Sequence, residues 1–338
     1  MSRNATITAD HSLVKPTDPR QQRVWDFVSR SPLRSLWDLQ GIPIRIIAAR
    51  TWKWFLADNL IGRSAELGFY FLFALFPTLF CASSILGLAA RSASTIYDKL
   101  LHYMAIMIPH AAMGTVLATF NETTAAATSG KLTFGIAAAL WSASVGFSAI
   151  QDTLNTVYKV KETRSYLRAR ISAIGVTVVL AVLVTFILAS MLGSDFFARL
   201  ARLSIAHPLL ATLAVSATRF VGWLIATALI MLFFAVIYYW APDVKKKHWR
   251  WLTPGSAVGI AVWLLASIGF RLYVHYFNNF SVTYGSLGAV IILLMWFYIT
   301  GLALLLGAEI NSQIEAAAAE RRLLAVQPAV VSTMADAS

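Results

Sequence analysis

The chain contains 338 residues, of which 58% are hydrophobic and 13% are charged, and its mean hydropathy is +0.66. This balance cannot supply the polar surface of a water-soluble domain, so it argues against soluble enzyme folds and predicts an all-α, polytopic membrane protein. The formal charge of +12 fits basic loops beside anionic headgroups, so membrane lipids rather than nucleic acid are the expected partners.

The first 40 residues are polar and lack the continuous apolar core of a signal peptide. We therefore expect residues 1–40 to be a retained, disordered cytoplasmic extension. Residues 44–55 come next, and a helical projection gathers six side chains on one side, Ile44, Ile47, Ala48, Thr51, Trp54 and Phe55. This pattern predicts an amphipathic helix that lies at the membrane interface.

Six later segments are apolar over about 20 residues, the length that crosses a bilayer as a helix. We expect a membrane domain over residues 41–315 and a cytoplasmic tail over residues 316–338. Residues 96–120 are also apolar, but Pro109 and Gly114 interrupt them, so they are predicted to form a hairpin on or within the outer leaflet. The six predicted spans are residues 65–90, 132–151, 171–192, 220–240, 252–276 and 287–310.

Lysine and arginine alternate strongly between the two sides of this arrangement. Of the 28 such residues, 21 fall on the side of both termini and six on the other, with Arg271 inside the fifth span. By the positive-inside rule both termini are expected in the cytoplasm. An odd number of spans would destroy this alternation, so the charge pattern supports six spans independently of hydropathy.

The second span carries a polar stripe near its cytoplasmic end. Its members recur every three or four residues, which places them on one helix face. Polar groups on such a face either form hydrogen bonds between helices or line a path for a solute, and the sequence leaves both alternatives open. The stripe consists of Ser144, Ser148, Gln151, Asp152 and Asn155.

Acidic and amide groups of two other spans are predicted to lie at the same depth. Glu66 opens the first span, in which Pro77 removes a backbone donor and kinks the helix. Glu309 and Asn311 lie at the end of the sixth span. Because both places lie on the side of the termini, we expect these groups and the stripe to form a candidate pathway.

Small residues in the last two spans predict close helix packing. Pro254 begins the fifth span, and Gly255 and Gly259 follow it at the spacing that lets another helix approach closely. Gly301 and Gly307 give the sixth span a similar surface.

Two basic side chains lie one helical turn apart near the outer end of the fifth span, Arg271 and His275. Either they extend to the lipid headgroups, or they bind an anionic solute.

Known catalytic motifs are absent from the sequence. It has no His-Glu-x-x-His, Gly-x-Ser-x-Gly or P-loop pattern, and its six histidines are scattered. Cys81 is the one cysteine, which excludes an internal disulfide and a cysteine-based zinc site. We therefore predict no catalytic residue, no metal site and no cofactor.

Several short motifs, in their order and spacing, resemble the YihY/BrkB family of bacterial inner-membrane proteins over residues 45–315. The resemblance implies a six-helix protein of the bacterial inner membrane. Family members have also been labelled ribonuclease BN, a tRNA-processing nuclease, or virulence factors. The motifs are Ala65-Glu66 through Phe76-Pro77, Leu140-Trp141-Ser142-Ala143-Ser144, Leu154-Asn155-Thr156-Val157-Tyr158, Tyr239-Trp240-Ala241-Pro242, Trp251-Leu252-Thr253-Pro254-Gly255, and Tyr284-Gly285-Ser286-Leu287-Gly288 through Trp296 to Gly307-Ala308-Glu309-Ile310-Asn311.

Three functions follow as hypotheses, in this order. The first is a transporter or lipid-handling permease, in which the second, fifth and sixth spans line a path open to the cytoplasm. The second is a non-transporting scaffold that gathers envelope protein partners. The tRNA-processing ribonuclease comes last, because the sequence offers no nucleophile, base and orienting group for it.

Overall fold

The computed structural model describes residues 19–30, 33, 35–37, 39, 41–89, 113–114, 117–118, 129–205, 207–245, 248–276 and 287–335. The predicted outer-leaflet hairpin, residues 96–120, lies almost wholly outside this part of the chain. The described elements are eight α-helices: α1 (Pro19–Arg30), α2 (Ile44–Ala57), α3 (Leu60–Ala89), α4 (Ser129–Val157), α5 (Tyr166–Ser204), α6 (Pro208–Trp240), α7 (Pro254–Tyr276) and α8 (Leu287–Ala335).

Six of these helices, α3 to α8, are long and apolar enough to cross a membrane. The predicted all-α architecture with six spans is therefore confirmed. Several helices extend well past their apolar segments. The 39 residues of α5, for example, correspond to about 58 Å, whereas the hydrocarbon layer is about 30 Å thick. Charged helix ends can therefore lie outside the hydrocarbon.

Helices that are adjacent in sequence also pack side by side from α3 to α8. Helix α8 in turn packs against α3, so that the order of contacts closes into a ring, and it also touches α4. One end of this bundle is called the basal end. Helices α3, α5 and α7 begin there, and α4 and α6 finish there. Helix α8 runs toward this end and continues beyond it.

The apolar core is concentrated near the basal end. Leu154 of α4, Ile237 of α6 and Leu305 of α8 are almost completely buried there, in one continuous cluster with residues of α3 and α5. Toward the other end, large apolar side chains such as Phe186 and Leu265 are exposed. An apolar exposed surface is what a bilayer requires of the helices that it surrounds.

The N-terminal extension is partly folded, which corrects the expectation of disorder over residues 1–40. Helix α1 lies against α8, with Trp25 and Val28 packed on Ala316 and Ala319. The overall polarity of the segment hid this pairing, because a narrow apolar face suffices when its partner is a helix lined with alanine.

The predicted end of the last span at residue 310, and the separate tail over residues 316–338, also need correction. Helix α8 continues without interruption through residue 335. Residues 311–319 of this helix are buried, and Ile314 packs in a cluster with Leu36 and Ile42 of the segment that joins α1 to α2. The apolar segment of α8 ends where polar and charged residues begin, but the polar residues 311–319 are covered by other parts of the chain.

Helix α2 has the amphipathic pattern that its sequence predicts. Ile47, Thr51 and Phe55 form its buried face, and the helix packs against α8. Ile44, which the projection places on the same face, is exposed, and so is Trp52. The buried face thus contacts protein, while the exposed apolar side chains are available to the membrane interface.

Candidate functional site

Helix α4 has one partly exposed strip along its basal half. Between Trp141 and Val157 most side chains are buried, and those that are exposed or half-buried, Ala143 excepted, recur at helical spacing on one face. We call these residues the α4 strip. They are Trp141, Val145, Ser148, Asp152 and Thr156.

The predicted polar stripe is divided between this strip and the interior. Ser148 and Asp152 lie on the α4 strip, whereas Ser144 and Asn155 are buried beside it. The Ser144 hydroxyl donates to the Trp141 carbonyl at 2.7 Å, and the Ser148 hydroxyl donates to the Ser144 carbonyl at 3.0 Å. Both hydroxyl protons are thus used within α4 and do not join it to another helix.

One side of the α4 strip is bordered by Arg170, near the start of α5. Its guanidinium lies over the Trp141 ring, 4.1 Å from the centroid, and its NH1 group is 3.5 Å from the Ser148 hydroxyl oxygen. Arg170 lies in the first turns of α5, at the basal end, and the Trp141 ring gives its cation a partner there.

The other side of the strip is bordered by α3. Asp152 lies within electrostatic range of Arg63 and Glu66 of that helix, and of Glu162 and Arg164 in the connection to α5. Glu66 and Asp152 are both exposed. The basal end of the strip therefore lies among charges of both signs, whereas the rest of the strip is neutral.

The buried amide of Asn155 serves a different purpose, since it joins two loops. Its Nδ2 donates to Glu162 at 2.8 Å, and its Oδ1 accepts from the backbone N–H of Asp243 at 2.7 Å. Thr163 donates from its backbone and its hydroxyl to the Asp243 carboxylate, at 2.7 and 2.5 Å. These bonds fix the α4–α5 loop to the α6–α7 loop.

The charges of this loop pair are matched. Arg164 donates to both oxygens of Glu162 at 2.7 Å, which lowers the pKa of that carboxyl. The same hydrogen bonds raise the pKa of the Arg164 guanidinium. Glu162 therefore stays ionised at neutral pH and contributes a fixed negative charge near Asp152.

Helix α8 carries a row of fully buried polar side chains at the basal end. The Oδ1 of Asn311 accepts from the backbone N–H of Gly255 at 2.9 Å, and its Nδ2 donates to the Thr253 hydroxyl at 3.0 Å. The Ser312 hydroxyl donates to the Val157 carbonyl at 2.9 Å. Asn311 and Ser312 thus connect α8 to the start of α7 and the end of α4.

Glu309 is completely buried on the same helix. One carboxylate oxygen accepts from the Gln313 side chain at 2.8 Å, and the other has no hydrogen-bond partner among the described residues. Gln313 in turn accepts from Arg50 of α2 at 3.3 Å. Glu309 and Asn311 therefore face different partners, and both are separated from the α4 strip.

Close approach of α7 and α8 depends on glycine. A Cβ atom at Gly255 would lie 1.9 Å from the Gly307 carbonyl oxygen, and one at Gly307 would lie 2.4 Å from the Tyr238 hydroxyl. Gly259 faces the Ala303 carbonyl oxygen at 3.1 Å, and Gly301 faces α3 in the same way. These glycines let α7 and α3 approach α8 backbone to backbone, and Gly307 also leaves room for the Tyr238 hydroxyl of α6.

A buried ion pair closes the turn between α2 and α3. Lys159, in the loop after α4, donates to Asp58 and lies 4.5 Å from the centre of the Trp54 ring. Burial raises the pKa of the Asp58 carboxyl, although Lys159 opposes this shift. The pair ties α2 to the end of α4.

The remaining candidates lie apart from these clusters. Arg271 and His275 are exposed near the end of α7, and the His275 ring contacts Tyr276 edge to face, with 5.5 Å between ring centroids. Pro77 lies inside α3, and Pro254 is the first residue of α7. None of these four residues borders the α4 strip.

The described residues contain no group of three or more histidine, cysteine, aspartate or glutamate side chains placed to hold a metal ion. The polar clusters instead hold helices together, except along the α4 strip, where polar atoms are open to the surroundings.

Sequence reasoning missed the most informative side chain of this region, Arg170. It precedes the predicted third span by one residue, so it was counted as a loop charge. The signal that could have found it is geometric, because a long side chain at the start of a helix can extend along its neighbour toward Trp141. The buried groups beyond residue 311 were missed because the last span was ended too early.

The six apolar helices and the polar groups set among them define a polytopic α-helical membrane protein. A profile of the BrkB virulence-factor family matches residues 51–329, so the chain belongs to that family.

Curated relatives agree with this assignment. The ribonuclease-like protein YfkH of Bacillus subtilis is 34% identical over 251 residues, which cover 74% of this chain and 88% of that protein. The UPF0761 membrane protein of Stenotrophomonas maltophilia is 30% identical over 278 residues, and that of Xanthomonas oryzae is 25% identical over 266 residues. Each covers 78% of this chain, whereas the chain spans only 60% of their length. No solved structure matches the chain.

Proposed function

We propose that this protein is a lipid-handling permease in which a phospholipid headgroup moves along the α4 strip. The observation that carries the proposal is the strip itself. Along the basal half of α4, where most side chains are buried, those that reach the surroundings include the half-buried Ser148 and the exposed Asp152, and Arg170 borders them. Polar groups that a membrane helix leaves exposed commonly line a path for a polar solute.

A lipid fits the strip better than a water-soluble solute. The Trp141 side chain is 57% exposed, so the upper part of the strip opens toward the outside of the bundle. A lipid can place its headgroup against Ser148 while its acyl chains remain in the bilayer. A water-soluble solute would require an enclosed route, whereas the buried Asn311 and Ser312 of α8 are already bonded to the start of α7 and the end of α4.

The location and orientation belong to the same proposal. We place the protein in the bacterial inner membrane with its basal end in the cytoplasm, because most lysine and arginine residues fall on that side. The lower end of the strip, at Asp152, would then lie near the cytoplasmic headgroups.

Lipid movement in proteoliposomes tests the proposal. A fluorescent phospholipid is incorporated in both leaflets, and a membrane-impermeant reductant destroys the fluorophores that reach the outer leaflet. We expect the wild type to exceed protein-free vesicles. Ser148→Leu, which replaces a polar group of the strip, should remove most of the movement. Thr185→Leu makes the same change at an exposed position of α5 outside the strip and should leave it intact.

Movement at the protein-free rate for several headgroup classes would contradict the proposal. If such a protein also co-purified with a stoichiometric envelope partner, the scaffold hypothesis would replace it. The ribonuclease-like name of the Bacillus relative describes that protein, and we do not extend it to this chain, because the polar clusters described above consist of groups that bind one another.

A further inference from the structure

We propose that Arg170 and Trp141 form a binding site for the phosphate group of a phospholipid. Arg170 would be the side chain that recognises the headgroup as the lipid passes along the α4 strip. This role of the site rests on the proposed function.

The Arg170 guanidinium has more donors than its surroundings satisfy. NH1 lies 3.5 Å from the Ser148 hydroxyl oxygen and NH2 lies 3.5 Å from the Trp141 carbonyl oxygen, both at the upper limit of a hydrogen bond. The buried Nε has no hydrogen-bond partner among the described residues. A guanidinium carries five N–H donors, so most of its capacity is available for another ligand.

The positive charge of Arg170 also lacks a carboxylate partner within the described part of the chain. Both oxygens of Glu162 accept from Arg164, and the Asp243 carboxylate accepts from Thr163. Asp152, one turn from Ser148 on the same strip, interacts with Arg63 and Arg164 rather than with Arg170. The Trp141 ring stabilises the cation on one face, at 4.1 Å, without neutralising it. A bound anion would neutralise the charge of Arg170.

A phosphate group fits this combination. The planar guanidinium can donate to two oxygens of a phosphate at once, and the Ser148 hydroxyl oxygen lies beside the same group. The indole of Trp141 is exposed and suits the boundary between headgroup and acyl chain, where amphipathic aromatic rings are common. The arrangement thus matches a phosphate that carries acyl chains better than a free ion.

Native mass spectrometry of the full-length protein in detergent tests this inference. The probes are phosphatidylglycerol, a diacylglycerol with the same chains but no phosphate, and inorganic phosphate. We expect Arg170→Gln to weaken phosphatidylglycerol binding by about tenfold, the effect of losing one charge-assisted contact. Arg168→Gln removes the same charge from an exposed position two residues earlier and should leave binding unchanged.

Arg170→Lys keeps the charge but loses the planar pair of donors, so we expect intermediate binding even if the glutamine variant does not fold. Equal binding of phosphatidylglycerol and diacylglycerol would overturn the inference. So would an equal effect of the Arg168 and Arg170 substitutions. Phosphate that binds in an Arg170-dependent manner, without such binding of phosphatidylglycerol, would overturn the assignment to a lipid.

The same variants in the lipid-movement assay separate this inference from the proposed function. Binding that depends on Arg170, together with movement at the protein-free rate, would refute the permease and retain the phosphate site. Movement that is insensitive to Arg170→Gln, together with binding that is equally insensitive, would refute the site and retain the permease.

Discussion

Replacing Gly255 with alanine should separate α7 from α8. The added Cβ would lie 1.9 Å from the Gly307 carbonyl oxygen, whereas ordinary contact begins at 3.4 Å, so the backbones must move apart by about 1.5 Å. A shift of that size also breaks the 2.9 Å hydrogen bond from the Gly255 N–H to Asn311. Overpacking of this kind typically costs about 1–3 kcal/mol and a buried hydrogen bond about 1 kcal/mol, which together give about 3 kcal/mol.

Thermal unfolding in detergent, followed by the fluorescence of the 11 tryptophans, measures this effect. We expect Gly255→Ala to lower the melting temperature by about 5 °C or more. Gly269→Ala is the matched control, because it lies on the same helix and its Cβ would meet nothing within 4 Å. Equal melting temperatures for the two variants would refute the close packing of α7 on α8.

Three further predictions concern the contacts of the basal end. Because hydrogen bonds from Arg164 hold the pKa of Glu162 below its unfolded value, its contribution to stability is present above that value and is lost as pH falls through the folded pKa. Glu162→Gln should therefore flatten the fall of melting temperature between about pH 5 and pH 3, and an unchanged profile would contradict this. Arg50 of α2 donates to both carboxylate oxygens of Glu320 of α8, at 2.6 and 2.7 Å. Arg50→Ala removes this ion pair and should speed proteolysis between the two helices, whereas Arg45→Ala at an exposed position of α2 should not. Tyr238→Phe removes a buried 2.8 Å hydrogen bond to the α8 backbone and should cost about 1 kcal/mol in thermal unfolding, and a stability equal to wild type would show that this bond is dispensable.

The spans could be predicted from the sequence because crossing a bilayer imposes a simple requirement. A helix must stay apolar for about 20 residues, and this requirement acts on each segment alone. The buried face of α2 followed from helical periodicity for the same reason. The ends of the helices could not be predicted as well. Helix α8 remains helical and buried through Ala316 and Ala319, although its hydropathy there no longer indicates a membrane span.

The folding of α1 onto α8 depends on two segments that are far apart in sequence. Neither Trp25 nor the alanines of α8 indicate a partner by themselves, and their pairing exists only in three dimensions. Composition gave the wrong expectation because it averages over a segment, whereas packing needs only one face.

The candidate pathway was predicted at the level of the helix face and not at the level of individual contacts. Ser148 and Asp152 lie on the exposed strip, as periodicity allows. Asn155 and Asn311 face inward because each satisfies backbone groups of a neighbouring element, and a single sequence does not contain that information. Depth along the membrane can be read from spacing, but lateral position depends on how the helices pack.

The account depends most on the α4 strip being open to water or headgroups within an otherwise apolar surface. Single cysteines at Ser148 and Asp152, in a Cys81→Ala background, can be reacted with a water-soluble maleimide in native membranes. We predict that both are labelled, whereas a cysteine at Val184, an exposed apolar position of α5, is not. Failure of the two strip positions to react, or labelling of Val184 to the same extent, would contradict the account.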